Sequence, residues 1–272
     1  MKKKIKIGIS GALGRMGISL IKEISSKRKN KKITLGALIV KKNCLESGKN
    51  INNVIKISNV KNIKISNSIK KVINDFDVLI DFTNTKNTLY NIKQCAMFKK
   101  KIVIGTTGFT KKEINTIKKY REKIGIVISS NFSIGINLML QLLKKTATKI
   151  GKNSDIEIIE YHHNKKIDAP SGTALTIGNI ISKTMNWDNK NNIYSRKGKI
   201  GKRKKKSIGF SSVRAGNIIG DHTVIFDNSH ERIEITHKAH SRCCFAKGAI
   251  HSAIWLKEKN KIGLFKINDV LC

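Results

Sequence analysis

The stretch Ile5-Lys6-Ile7-Gly8-Ile9-Ser10-Gly11-Ala12-Leu13-Gly14-Arg15-Met16-Gly17 decides the fold. Ile5, Ile7 and Ile9 alternate with Lys6 and Gly8, the period of two expected of a strand. Glycines at 11, 14 and 17 follow, and Met16, Leu20, Ile21 and Ile24 recur at helical spacing. Strand, glycine-rich turn and helix together form the place where a dinucleotide pyrophosphate meets the positive end of a helix. Glycine lets the backbone approach phosphates closely and adopt positive φ. The spacing is Gly-x-x-Gly-x-x-Gly rather than the usual G-x-G-x-x-G, and a plain tight turn is the alternative reading.

Working outward, the unit repeats. Residues 33–40, 77–81, 101–105 and 125–129 are short apolar runs, and 87–98 and 110–119 read as helices. Alternating strands and helices with short turns predict an α/β fold, a Rossmann-like doubly wound parallel sheet. Residues 41–67 are polar and Asn-rich, with short β-like pieces. After about 132 the pattern changes. Helices are expected at 136–150 and 171–184, strands at 155–161, 207–213, 222–226 and 231–237, and a basic loop at 186–206. Clustered late strands predict a second, α+β domain with a mixed or antiparallel sheet. A last helix, 245–256, returns to the first domain. The expected division is 1–132 plus 241–272, and 133–240.

Composition bounds the function. A chain of 272 residues can bury a core without disulfides or metal. Its five cysteines, at 44, 95, 243, 244 and 272, are odd in number and form no CxxC, which fits a reducing cytoplasm. The lysine-rich start imitates a signal peptide, but Lys6 and Arg15 interrupt the apolar run that would have to follow. No apolar run of 18 residues predicts a membrane span. The formal charge of +37 would ordinarily suggest nucleic acid. Here the lysines are spread over the whole length beside abundant Asn and Ile, with one proline, so a compositional bias explains them and no specific nucleic-acid partner is expected. The denser run Arg203-Lys204-Lys205-Lys206 has no aromatic platform and reads as a solvated loop.

Three further features carry chemistry. The second strand ends Val40-Lys41-Lys42, where an NAD site would carry an acid for the ribose hydroxyls. Cations there, Lys41 first, favour a 2′-phosphate and tilt the cofactor toward NADPH over NADH; the alternative reading is that these lysines belong to the general lysine excess of the chain. Gly105-Thr106-Thr107-Gly108-Phe109 and Ser129-Ser130-Asn131-Phe132 end neighbouring strands on the ligand edge of the sheet. The third feature is Glu160-Tyr161-His162-His163-Asn164-Lys165-Lys166-Ile167-Asp168-Ala169-Pro170-Ser171-Gly172-Thr173-Ala174. His162, His163 and Lys166 supply proton donors and positive charge. Ser171, Gly172 and Thr173, at a helix start, form a nest for a carboxylate or phosphate. An anionic substrate that needs a proton fits this cluster. Tyr161-x-x-x-Lys165 imitates the short-chain dehydrogenase pair, but Tyr161 closes a strand, so the two side chains do not share a helix face. The histidines at 162, 163, 222, 237 and 240 lack metal-ligand spacing, and no metal is expected.

These residues occur in an order that resembles the dihydrodipicolinate reductase family, also called 4-hydroxy-tetrahydrodipicolinate reductase, of the diaminopimelate route to lysine. The matching pieces are Gly11-Ala12-x-Gly14-Arg15-Met16-Gly17, Asp81-Phe82-Thr83, Gly105-Thr106-Thr107-Gly108-Phe109 and Asn131-Phe132-Ser133-x-Gly135. Further along come Glu160-x-His162-His163, Lys166-x-Asp168 through Ala174, Val213-Arg214-Ala215-Gly216, Gly220-x-His222 and Ile235-Thr236-His237-Lys238-Ala239. The resemblance implies a Rossmann-like domain completed by the C-terminal segment, and a second domain that binds substrate and builds a homotetramer. It implies NADPH or NADH as hydride source and a cyclic dicarboxylate as substrate. It makes His162 the acid/base residue and Lys166 the proton donor, with His163, Gly172 and Thr173 on the substrate carboxylates. Gly11, Ala12, Leu13, Gly14, Arg15, Met16, Gly105, Thr106, Thr107, Ser129, Ser130, Asn131 and Phe132 would line the cofactor. Val40 stands where many members carry an acid, and Tyr161 where they carry a smaller residue.

Overall fold

The computed structural model describes residues 4–26, 32–57 and 62–271. Lys2, Lys3 and Cys272, and residues 58–61 of the polar stretch, lie outside the described residues. The chain divides into two compact units, Met1–Ser133 with Cys243–Cys272, and Ile134–Arg242.

In the first unit, β1 (Ile5–Ser10), β2 (Ile33–Ile39), β3 (Ile65–Ser66), β4 (Val78–Asp81), β5 (Lys101–Ile104), β6 (Gly125–Ile128) and β11 (Gly263–Phe265) form one sheet. Its order is β11-β6-β5-β4-β1-β2-β3, and every pairing is parallel. The apolar runs have no polar alternation because both faces are covered. Ile7, Ile9, Val78, Ile80, Val103 and Val127 pack on one side with Leu20, Ile21 and Ile24 of α1 (Arg15–Ser25) and Ala246, Ala249, Ala253 and Leu256 of α7 (Cys243–Glu258). Leu79, Ile102, Ile104 and Ile126 pack on the other side with Ile92 and Cys95 of α3 (Thr85–Met97) and Ile117 of α4 (Lys111–Lys118). Thr110 caps α4 in a reciprocal box with Glu113, so the helix begins one residue later than its sequence pattern suggests. The strand order reverses between β1 and β4. In an open parallel sheet the ligand crevice lies there, beyond the carboxyl ends.

Within the polar stretch the structure adds α2 (Ile51–Val54) beside the two-residue β3. β11 and α8 (Ile267–Leu271) have no counterpart in the sequence reading. Three residues are too few to show a period, and only pairing defines this strand. Lys101 Nζ donates to the Lys261 carbonyl at 2.8 Å, tying the segment before β11 to the start of β5.

In the second unit, β7 (Asp155–His162), β8 (Ile208–Arg214), β9 (Asp221–Asp227) and β10 (Arg232–Lys238) form a sheet in the order β10-β9-β7-β8. Its pairing is mixed: β7–β8 is parallel, while β7–β9 and β9–β10 are antiparallel. Ile156, Ile158, Ile208, Phe210, Val224 and Phe226 pack against Ile136, Met139 and Leu143 of α5 (Ile134–Ile150) and Ala174, Ile177 and Ile181 of α6 (Gly172–Met185).

The basic loop corrects one expectation. Lys204, Lys205 and Lys206 are exposed, but Arg203 is half-buried. It donates to the carbonyls of Ile156 (2.8 Å) and Ser207 (2.9 Å) and pairs with Glu157 and, at 3.0 Å, Asp155. Arg196 grips the same Glu157 with two bonds of 2.9 and 2.7 Å. A planar fork of donors suits strand-edge carbonyls and a carboxylate, where a lysine would reach only one partner.

Candidate functional site

In the first unit the site is built mainly from backbone. Gly11 has φ +80°, so the chain leaves β1 in the left-handed region. A Cβ at Gly17 would stand 2.3 Å from the Gly11 carbonyl and 2.4 Å from that of Ala12, so only glycine lets α1 start this close to the turn. Gly14 is the N-cap and brings no side-chain capping bond. The first-turn amides of a helix have no acceptor within it. A cavity of about 430 Å³ opens at this point, lined by Gly14, Arg15, Met16, Gly17, the segment Phe82-Thr83-Asn84-Thr85, and Gly105, Thr106 and Thr107. A Cβ at Gly105 would fall 2.1 Å from the Phe82 ring, which explains a glycine at the end of β5.

The other nucleotide candidates are placed differently. Gly11 and Leu13 are half-buried, and Lys41 is exposed after β2. None of them, nor residues 129–132, borders the cavity. Ala12 is fully buried and Phe132 is 1% exposed, so their side chains belong to the core, not to the cavity wall. Phe132 packs edge-on to Phe82, with ring centroids 5.8 Å apart. Ser129 and Asn131 bond within their own turn: Ser129 Oγ donates to the Asn131 carbonyl at 2.8 Å, and Asn131 Oδ1 accepts from the Ser133 amide at 2.8 Å.

Sequence reading did not assign a role to the segment after β4. Asp81 is fully buried and accepts from the Thr83 amide (2.9 Å), the Thr83 hydroxyl (2.6 Å) and Asn91 Nδ2 (2.9 Å). Burial pushes its carboxyl up, against the downward pull of those bonds. It anchors the loop that forms one cavity wall. The available signal was a carboxylate closing an apolar run, since a buried charge must find partners.

In the second unit the site is built from side chains at the carboxyl end of β7. Ile156, Ile158, Glu160 and His162 lie two residues apart, so the buried face of the strand ends in a carboxylate and an imidazole. Glu160 is 1% exposed and bonds His162 Nδ1. Arg214, at the end of β8, clamps Glu160 with bonds of 2.9 and 2.6 Å and also donates to the Asp168 carbonyl at 2.7 Å. Burial alone would raise the Glu160 carboxyl. The bonds from His162 and Arg214 more than offset it and hold the group well below the usual carboxylate range.

Lys166 Nζ donates to Asp168 Oδ1 at 2.6 Å, and its amide closes a turn on the half-buried His163. Ser171 is the N-cap of α6: its Oγ accepts from the Ala174 amide at 3.1 Å, and its own amide donates to Glu160 at 3.1 Å. Gly172 is exposed, with open space where a side chain would stand, and Thr173 is half-buried beside it. His222 on β9 meets Ser171 Oγ at 3.1 Å through Nε2 and packs edge-on to the His162 ring at 5.3 Å. Burial, helped by the neighbouring His162, pushes the His222 imidazole down to about 4, so it is neutral at physiological pH. One connected network thus joins His162, the turn holding Lys166, and the start of α6. A larger hollow of about 630 Å³, lined by Lys152, Asp155, Trp187, Lys205, Lys206 and Asp227 among others, lies at the opposite end of β7.

The family profile described as "Dihydrodipicolinate reductase, N-terminus" matches residues 5–132, and "Dihydrodipicolinate reductase, C-terminus" matches residues 135–271. A 4-hydroxy-tetrahydrodipicolinate reductase of Buchnera aphidicola subsp. Baizongia pistaciae is 58% identical over 272 residues, covering 99% of this chain and 98% of the relative. The same-named protein of Buchnera aphidicola subsp. Acyrthosiphon pisum (strain Tuc7) is 55% identical, covering 100% and 99%. A dipicolinate-bound dihydrodipicolinate reductase from Paenisporosarcina sp. TG-14 shares the fold, with a TM-score of 0.76 at 23% identity over 97% of this chain and 98% of that one. The chain belongs to the dihydrodipicolinate reductase family.

Proposed function

We propose that the protein catalyses the NAD(P)H-dependent reduction of 4-hydroxy-tetrahydrodipicolinate to tetrahydrodipicolinate, in the diaminopimelate route to lysine. The observation that carries this reading is the network of the second unit, which links an imidazole, an ammonium group and a helix-start anion nest at one strand end. The substrate is a dicarboxylate, and its reduction adds one hydride and one proton while one water leaves. Lys166 supplies the proton, and His162 serves as acid/base. Groups of this kind contribute about 10²–10⁴-fold in rate. His163, Gly172 and Thr173 hold the carboxylates, the last two through amides at the N-terminus of α6.

The nucleotide fits the first unit because the turn is a cradle that a Cβ at Gly17 would close. When bound, the reduced nicotinamide supplies the hydride. Gly11, Gly14, Arg15 and Met16 would hold its pyrophosphate, with Ala12 and Leu13 contributing backbone. Gly105, Thr106 and Thr107, and the turn Ser129-Ser130-Asn131-Phe132, would border the nicotinamide side. Lys41 favours a 2′-phosphate, so we assign NADPH as the preferred donor. Met1–Ser133 with Cys243–Cys272 is then the dinucleotide-binding domain, and Ile134–Arg242 the substrate and oligomer domain. A homotetramer fits the second unit: β10 is an exposed edge strand and Ile233 on it is 39% exposed. The same reading places the enzyme in the cytoplasm.

The test is nucleotide oxidation with substrate generated by a coupled synthase, comparing NADPH with NADH, on protein whose mass in solution is measured by light scattering. Oxidation that depends on the cyclic substrate supports the reading. Oxidation of neither nucleotide in its presence removes it.

A further inference from the structure

Donors from four residues surround the buried carboxylate of Glu160: His162, Arg214, Ser171 and the Ser212 side chain. His162 Nδ1 and Arg214 Nη1 share Oε2, while Arg214 Nη2 (2.6 Å) and the Ser171 amide (3.1 Å) share Oε1. We propose that Glu160 is the positioning residue of this site: it fixes the tautomer and orientation of His162 and holds that imidazole in register with the first turn of α6. The proposal rests on the reductase reading, in which His162 exchanges a proton and the start of α6 holds a substrate carboxylate.

The chemistry follows from the donor count. An ionised carboxylate only accepts, so the proton of neutral His162 sits on Nδ1 and Nε2 is left to exchange. Nε2 has room because residue 220 is glycine: a Cβ there would come within 3.0 Å of it. The second oxygen of the same carboxylate takes the Ser171 amide, and Ser171 Oγ in turn caps α6 and meets His222. A shift of the carboxylate therefore moves the imidazole and the anion nest together. Arg214 balances its charge and, through the Asp168 carbonyl, reaches the turn that carries Lys166. Glutamine cannot substitute. Both carboxylate oxygens face donors, so either orientation of its amide points an NH₂ group at another donor.

The experiment compares the wild type with Glu160→Gln and with the double variant Glu160→Gln/Arg214→Met, which removes the buried charge pair together and so guards against a folding failure from an unpaired guanidinium. Three quantities are read: kcat and KM in the coupled assay, nucleotide affinity by fluorescence, and the His162 tautomer by ¹⁵N NMR of ring-labelled histidine, assigned with His162→Asn. The expected result is an Nδ1-protonated tautomer in the wild type that is lost in both variants. A kcat lower by about 10- to 100-fold, the range shown by outer partners of a functional imidazole, accompanies it, with raised substrate KM and unchanged nucleotide affinity. Full kcat in the double variant would mean that Glu160 only neutralises Arg214, and an unchanged tautomer in both variants would equally overturn the proposal. If the wild type does not reduce the substrate, the reductase reading fails instead, and the tautomer measurement still decides whether Glu160 orients His162.

Discussion

The two candidate sites are made of different material. The turn after β1 works through what is absent: no Cβ at Gly17, where it would strike the Gly11 and Ala12 carbonyls, and none at Gly105, where it would strike Phe82. The site at the end of β7 works through what is present, a buried carboxylate, a guanidinium, two imidazoles and a serine cap joined by hydrogen bonds. A backbone site is specified by residues close in sequence. A side-chain network needs positions 160, 171, 214 and 222 brought together by two strand pairings and a helix start. Substitutions should therefore fail differently: in the first unit through nucleotide affinity, in the second through turnover.

The sharpest separation comes from Lys166→Ala. Its kcat should fall by about 10²–10⁴-fold, while nucleotide affinity, measured by fluorescence quenching, stays at the wild-type value. A parallel loss of affinity would erase the distinction between the two sites. Gly17→Ala is the converse. The turn must move by close to 1 Å to admit the methyl group, a displacement that can cost about 100-fold. The loss should appear in nucleotide Kd by calorimetry, with the second unit's histidine NMR signals unchanged.

A smaller effect tests the electrostatics of the network. The unfolded chain protonates His222 near its ordinary value of 6.5, whereas the folded chain does so only at about 4. Between those values the unfolded state binds more protons, so stability falls as pH drops through this window. The melting temperature should decline by a few degrees from neutral pH to pH 4, and His222→Gln should flatten that part of the slope in calorimetric scans. An unaltered slope would mean that His222 is not buried beside His162 as described. The smallest effect belongs to Lys41→Glu. Lys41 is exposed, and one surface charge contributes about 1 kcal/mol or less. Preference for NADPH over NADH should therefore shift by about fivefold in kcat/KM, and an unchanged ratio would remove Lys41 from the nucleotide site.

Legibility in the sequence follows the same division. β1, α1, β4, β5 and β6 could be read because each is a local pattern: alternation, a glycine turn, an apolar run. Glycines at 11, 14 and 17 announced a cradle whose Cβ clashes the structure supplies. β11 could not be read, since three residues carry no period and pairing with β6 is what makes them a strand. The run Arg203-Lys204-Lys205-Lys206 reads as solvated from sequence because charge density says nothing about partners. Glu157, on the strand that pairs with β8, holds Arg196 and Arg203 in place. That the side chains of Ala12 and Phe132 are buried in the core could not be read from the motif and comes from packing alone. The motif contains Glu160 but assigns it no role, although its place two residues beyond Ile158 on a strand puts a charge on a buried face and so requires a partner.

By itself, the sequence determined the doubly wound sheet, the glycine turn and the cluster of His162, Lys166 and Ser171–Thr173, because each depends on side chains a few residues apart and on the fixed periods of strand and helix. Tertiary structure alone decided which groups share the Glu160 carboxylate, which residues wall the cavity beside Gly14, and how the last strand completes the first sheet. Those outcomes depend on residues more than 50 positions apart, such as Glu160 and Arg214, whose separation of 54 no local pattern encodes and only strand pairing closes.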